Sequence, residues 1–391
     1  MIPFPVVAAI VAPVPPAPDA VKELAAPVLA EVRGYIDKQK EPAEKAGLYL
    51  RIAEAEHAMG NAAGAKAALA QAAAVVQANL NAPNMPLAPV MVASTYHDLG
   101  DDAGAKAFLA GIVPLAKKVT DAQARFYTLQ QTAMAQAYVG DAAGAKATFA
   151  EVKAAAPKAG AEAAAGLPKA EADLLGQLGD FAGAKRTLAA GKVKDPANEA
   201  MTLAYIAEKQ AKARDRAGAQ ATMKEAAATL AKVKDPGYRG FLASTLAAYY
   251  AKIGDATSAR RLAGKDPQAL RNLAEALAEA GDIPGAKAAY PKPTPALAYA
   301  LAEKGDIAGA RKAAEAVIAA REFTMSDEPV RLWAALAVAQ AKAGDKSGAA
   351  ASLAKARKIA TTSDPILGDN SAANLASLLQ ALFTGGKRDV G

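Results

Sequence analysis

The chain contains no cysteine, which excludes disulfides, thiolate nucleophiles, zinc ribbons and iron–sulfur ligation while leaving the redox compartment open. It has only two histidines, His57 and His97, so there is little imidazole for a metal site or a nucleophile–base pair. Aromatic residues make up 5% of the chain and β-branched runs are scarce, which disfavours a β-sandwich or barrel. A long apolar run is also missing. The uncharged opening segment MIPFPVVAAIVAPVPPAP holds six prolines and cannot form a continuous spanning helix, and no other stretch offers one. A signal-peptide reading of residues 1–18 has the short apolar core Val6 to Val11 in its favour. The absence of any basic residue before Lys22 counts against it. A soluble cytoplasmic protein with a proline-rich leader is therefore favoured over an exported one.

What the chain does have is length and alanine. Its 391 residues are two to three times an ordinary domain, and alanine supplies more than a quarter of them. Thin side chains and 22% charged residues suit closely packed helices in an elongated repeat. Formal charge is +7 and unevenly placed: residues 1–200 sum to −1 and residues 201–391 to +8. Such a bias hints at an acidic partner, although basic groups spread over 191 residues ordinarily form a solvated surface.

A Gly-Asp-x-x-Gly-Ala-Lys phrase recurs at Gly60, Gly100, Gly140, Gly179, Gly254, Gly281, Gly305 and Gly344, with a degenerate copy, RDRAGAQ, at Arg214. The spacings are 40, 40, 39, 35, 40, 27, 24 and 39 residues, nine tandem units with two shortened intervals. Alignment on the phrase exposes two invariant columns. Seven residues before the anchor stand Ala53, Ala93, Ala133, Ala172, Ala207, Ala247, Ala274, Ala298 and Ala337. Five residues after it stand Ala65, Ala105, Ala145, Ala184, Ala219, Ala259, Ala286, Ala310 and Ala349. Two antiparallel helices joined by a tight turn must cross near these positions, where a larger side chain would push the axes apart.

The turn chemistry agrees. Glycine ends the first helix by tolerating the left-handed conformation, and the Asp or Asn that follows, as in Gly140-Asp141, caps the second. Asp-Pro phrases (KDP at Lys194, Lys234 and Lys265, with relatives SDEP at Ser326 and SDP at Ser363) open the first helix of the next unit.

These residues resemble the tetratricopeptide repeat, whose pattern has a small residue on the first helix, Gly at the turn, Ala five later and a large apolar residue four beyond that. The last position reads Leu69, Leu109, Phe149, Leu188, Met223, Tyr290 and Leu353, with departures at Ala263 and Ala314. The aromatic four before the turn survives only at Tyr96 and Tyr250, the early Trp is missing, and most copies run near 40 residues instead of 34. The resemblance covers about residues 41–360. It implies an all-α, right-handed superhelical α-solenoid of about nine stacked αα-hairpins with capping helices at both ends. The expected organisation is a leader (1–18), an N-terminal helix broken near Pro27 (19–40), nine repeats (41–368), and a C-terminal cap and tail (369–391). Within the last segment Ser371 to Phe383 covers repeat nine, and Gly385 to Gly391 frays.

The familiar catalytic patterns are missing. The Gly-Lys pairs at Gly191, Gly264 and Gly386 lack the rest of a phosphate loop, and no strand–turn–helix frame exists for a dinucleotide fold or nucleophile elbow. The pairs Glu54/Glu56 and Asp101/Asp102 sit at ordinary helix-face or cap positions. His57 and His97 occupy equivalent places in repeats one and two, but Glu54, Ser94 and Asp98 would complete a poor tetrahedral set. Duplication of a solvated imidazole is the better account, and neither metal nor cofactor is expected.

The resemblance further implies an inner wall carrying Tyr127, Gln130, Met134, Phe241, Arg271, Glu275, Tyr299 and Arg331. Lys212, Lys252 and Lys342 recur two residues before their anchors. Aromatic and basic groups interleaved in this way suit a protein or peptide, acidic by preference, over a nucleic-acid strand. The outer row Lys66, Lys106, Lys146, Lys185, Arg260, Lys287 and Arg311 serves solvation. The expectation is a non-enzymatic protein-binding scaffold. The alternatives are a self-associating structural component and an accessory subunit of an enzyme complex.

Overall fold

The structure, a computed structural model, describes residues 17–82, 85, 87–190, 195–321, 325–362 and 371–386. Residues 1–16 of the leader, Lys194 of the first KDP phrase, the SDP phrase at Ser363 and residues 387–391 of the expected tail lie outside them. All regular structure among the described residues is helical.

In chain order the α-helices are α1 (Asp19–Tyr35), α2 (Pro42–Ala58), α3 (Ala62–Ala78), α4 (Ala88–Asp98), α5 (Asp102–Ala116), α6 (Ala122–Tyr138) and α7 (Ala142–Ala159). Then come α8 (Ala161–Gln177), α9 (Phe181–Ala190), α10 (Pro196–Lys212), α11 (Arg216–Leu230), α12 (Pro236–Lys252), α13 (Ala256–Ala263) and α14 (Pro267–Glu279). The series ends with α15 (Ile283–Ala289), α16 (Pro295–Glu303), α17 (Ile307–Ala320), α18 (Glu328–Lys342), α19 (Lys346–Thr361) and α20 (Ser371–Thr384). A 3-10 turn, Ile36–Lys38, follows α1. That helix continues through Pro27, so the expected break is absent.

Every repeat phrase falls on a turn between two helices. Each anchoring glycine has a positive φ, from 74° at Gly140 to 84° at Gly60 and Gly254, and Arg214 takes the same left-handed conformation at φ 65°. The next residue caps in all nine copies: a side-chain oxygen of Asn61, Asp101, Asp141, Asp180, Asp215, Asp255, Asp282, Asp306 or Asp345 accepts from the amide three residues on, at 2.8–3.0 Å. All eighteen alanines of the two invariant columns are buried, none more than 3% exposed. The Asp-Pro phrases also act as read from the sequence, Asp235 capping Tyr238 N at 2.6 Å and Asp266 capping Ala269 N at 2.7 Å. SDEP departs from them: Asp327 makes no side-chain capping bond, because Glu328 intervenes before the proline and shifts it to the second position of α18.

The described residues form two compact units, Ala73–Leu262 and residues 17–72 with 263–386. In the first, the leading helices α4, α6, α8, α10 and α12 pack side by side, and the second helices α5, α7, α9 and α11 each touch both their own partner and the next leading helix. This two-layer arrangement lets each hairpin bury an apolar face that it could not bury alone.

The second unit repeats the pattern with α14, α16 and α18, paired with α15, α17 and α19. Here α20 takes the place of a further leading helix. It packs on α18 and α19 and, on its other side, on α1 and α2, while α1 touches both α20 and α2 as a second helix does. The first and last of the described helices thus build one composite hairpin. Its apolar faces are buried, Val21, Ala25, Val28 and Val32 on α1 and Leu375, Leu378, Leu379 and Leu382 on α20. An Arg357–Glu31 ion pair joins α19 to α1, and an Arg33–Glu56 pair joins α1 to α2. Gly386, expected in a frayed tail, is buried. Its amide donates to Ala381 O at 2.9 Å, its carbonyl accepts from Arg331 Nε at 3.1 Å, and a side chain there would collide with the Tyr299 ring.

Deleting residues 371–391 should therefore release α1 as well as the face of α18 and α19. Hydrogen exchange over residues 19–35 is expected to lose protection in the shortened chain. Unchanged protection of α1 would show that α20 covers the last repeat alone.

Candidate functional site

The nine residues expected to meet a partner divide between the units. Tyr127, Met134, Lys212, Phe241 and Lys252 belong to the first; Arg271, Tyr299, Arg331 and Lys342 belong to the second. Two of them are not accessible. Arg331 is 1% and Tyr299 8% exposed. Arg331 also donates to Gln380 Oε1 at 2.9 Å, and the Tyr299 hydroxyl donates to buried Glu328. The end of α20 and residue 386 cover both side chains, so the open wall read from the sequence is closed at these positions. Nearby, Arg271 Nε meets Glu275 Oε1 at 3.2 Å, and burial pushes the Glu275 carboxyl above its ordinary range despite that pair.

In the first unit three of the predicted wall residues, Lys212, Phe241 and Lys252, lie on two neighbouring leading helices. On α10, Met201, Tyr205, Glu208, Lys209 and Lys212 follow one another at three- and four-residue steps and share a face; on α12, Phe241, Thr245, Tyr249 and Lys252 do the same. The two helices are neighbours in the leading layer, so both stripes run from a bulky apolar residue near the N-terminal end to lysine at the C-terminal end. Phe241 is 64% exposed. From Phe241 to Lys252 is eleven residues, about 16 Å along the helix.

Between these ends lies a polar cluster that reaches onto α8. Tyr205 donates to Gln177 Oε1 at 2.8 Å, Lys209 sits 5.0 Å from the Tyr205 ring centroid, and Lys252 sits 5.6 Å from that of Tyr249. Lys169 pairs with Asp173 at 2.7 Å and Lys212 with Glu208 at 3.3 Å. Burial, with the carboxylates Asp173 and Glu208, raises the ionisation of Tyr205 well above a free phenol; Tyr249 is raised by burial, then by Glu208 and Asp173. Lys209 is lowered, by burial first and by Lys212 second. The cluster holds four lysines against two carboxylates and keeps an excess of positive charge despite its internal pairs. Tyr205, Tyr249, Asp173, Glu208 and Lys209 were not singled out from sequence. The repeat alignment held the signal: Asp173 and Glu208 both stand six residues before their anchors, and Lys209 and Tyr249 both five before.

Elsewhere in this unit, Tyr127 is exposed, Met134 half-buried, and the His97 ring lies edge-on to Tyr138 at 5.1 Å with Nδ1 2.6 Å from Asp102 Oδ1. His57 stands on α2 in the other unit. Among the described residues no group of three or more His, Asp or Glu side chains is placed to hold a metal ion, and no helix is long and apolar enough to cross a membrane. No protein-family model matches the chain, and no curated protein is significantly similar to it. The likeness to tetratricopeptide repeats thus rests on the internal repeat, and what stands is an all-helical repeat of paired helices.

The lowered Lys209 makes a pH prediction. The unfolded chain takes up this proton first as pH falls, so the charge costs stability at neutral pH, and that cost disappears as pH rises through the ordinary value of 10.5. Lys209→Met, which keeps the apolar stem against Tyr205, should be more stable than the parent in denaturant titrations at pH 7, with the gap closing towards pH 10.5. A less stable variant at pH 7 would mean that the contacts to Tyr205 and Glu208 outweigh burial.

Proposed function

We propose that this protein is a non-enzymatic scaffold that holds a partner protein or peptide against its leading helices, with the α10–α12 stripe as the principal contact. In this reading residues 41–368 are nine hairpins of a right-handed superhelix, of which the repeat phrase and the helix pairs are the visible part. The observation that carries it is the juxtaposition of exposed Phe241 with the half-buried Tyr205 and Tyr249 and the surplus lysines, on two neighbouring helices of the leading layer. Rigid aromatics supply contact area at low entropic cost, and unmatched cationic charge selects an acidic segment.

The partner is to be identified by affinity capture and mass spectrometry, then titrated in purified form. Binding should weaken as ionic strength rises without vanishing, since Coulomb attraction is screened and aromatic contacts persist. Lys212→Glu with Lys252→Glu should reduce affinity by about ten-fold or more. Reversal of Lys66, Lys106 and Lys146 on the second helices should leave it nearly unchanged. Equal damage from the two sets would replace the wall by the self-assembly reading, and a steep, partner-blind loss over moderate salt would point to nucleic acid instead.

A further inference from the structure

The second helix of the sixth repeat is cut short. α13 has 8 residues, whereas α5 and α11 have 15 and α7 has 18; α9 and α15 are also short, with 10 and 7. Seven missing residues amount to about two turns, or about 10 Å of helix. The start of α12 is left uncovered, whereas α14, beside the comparably short α15, already buries Ala269. Every residue from Lys234 to Phe241 is exposed, and burial begins only at Leu242. The equivalent first turns of α10 already bury Ala197 and Ala200.

On the side of α12 opposite Phe241 this leaves an open groove of about 360 Å³. Pro236, Arg239, Gly240 and Ala243 line it from α12, Ala227, Leu230 and Ala231 from the end of α11, and Leu262 from the end of α13. The spacing of the α12 residues, three, four and seven apart, is the face that a second helix covers elsewhere in the array.

The charge around the groove is one-sided. Residues 227–262 contain six basic and two acidic side chains, and both acids, Asp235 and Asp255, are committed to helix caps. Arg239 is held at the groove by a bond from Nη1 to Val233 O at 3.2 Å, and Lys232, Lys234, Arg260 and Arg261 flank lining residues in sequence and are exposed. Glu225, the acid just before this stretch, is taken by Lys185 at 2.6 Å.

We propose that this groove receives a short amphipathic helix from a partner protein, apolar on one face and acidic on its flanks, which occupies the place of the two turns that α13 lacks. Apolar Leu230, Leu262 and Pro236 receive the apolar face, Gly240 and Ala243 let the backbone approach closely, and the basic rim pairs with the acidic flanks. None of the lining residues belongs to the α10–α12 stripe, so this surface stands or falls separately from the proposed function.

The test uses the full chain and a stapled helical peptide of about 14 residues, roughly four turns, with Ala and Leu on one face and Glu on the rest. Its control carries Lys in place of Glu. Fluorescence anisotropy at low salt is expected to show saturable binding of the acidic helix and at least about ten-fold weaker binding of the basic one. Gly240→Leu fills the groove. Its added side chain starts in open space with no left-handed φ to strain it, so circular dichroism should be unchanged while peptide affinity falls about ten-fold or more. Arg239→Glu with Arg260→Glu should invert the preference between the two peptides. Equal binding of both peptides, an unaffected Gly240→Leu, or no binding of the acidic helix would overturn the proposal. So would concentration-dependent self-association of the parent that Gly240→Leu abolishes, because the occupant would then be a second copy of this chain.

Discussion

The structure depends on how closely two helices approach at a methyl group. In each repeat one alanine on the first helix and one on the second are sealed from solvent, and at that separation neither helix has room for a longer side chain. The requirement accounts for the eighteen alanines of the two columns. It also explains why the two columns tolerate no exception, whereas the large apolar position drops to alanine twice, at Ala263 and Ala314. Close crossing makes the hairpin; the leucines, valines and isoleucines around it supply the buried area that stabilises the stack.

The turn is built from more than the glycine and the cap. The second glycine of the phrase gives the cap carboxylate its space: a side chain at Gly144 or Gly285 would overlap Asp141 or Asp282. In several copies the cap is also gripped from the first helix, with matched polarity. Gln210 and Gln340 donate to Asp215 and Asp345 at 3.0 and 3.2 Å, while in the first repeat Asn61 takes the place of Asp and donates to Glu56 at 2.7 Å. Glu56 then has a free oxygen to pair with Arg33 of α1, so the exception in the first repeat is also where the N-terminal helix is fastened. Arg214 departs differently. It holds the left-handed turn conformation without being glycine, which costs about 1 kcal/mol.

Local chemistry was legible in the sequence, because a turn, a cap or a crossing is decided by residues within one repeat and was repeated nine times. Contacts between distant parts of the chain were not. Tyr299 and Arg331 sit at wall positions by register, yet they are buried because α20 and residue 386 return to them from far along the chain, 49 and 55 residues beyond Arg331 and farther still from Tyr299. A periodic alignment cannot register a partner supplied from outside the period. The composite hairpin of α1 and α20 escaped for the same reason. Each helix reads as a cap for its own end, and only the structure pairs them. The α10–α12 stripe was half legible: Lys212 and Lys252 stood out by recurring two residues before their anchors and Phe241 by its implied wall position, whereas Tyr205 and Tyr249 acquire their role only from the acidic and cationic neighbours that the fold brings to them.

The measurement that bears most directly on this account is the stability of Ala133→Leu and Ala145→Leu, each compared with Ala143→Leu, which lies on the exposed face of the same α7 as Ala145. By chemical denaturation the two crossing variants should each lose about 1–3 kcal/mol through overpacking, and the exposed variant should stay within about 0.5 kcal/mol of the parent. Equal midpoints for all three would contradict the claim that alanine contact sets the helix spacing.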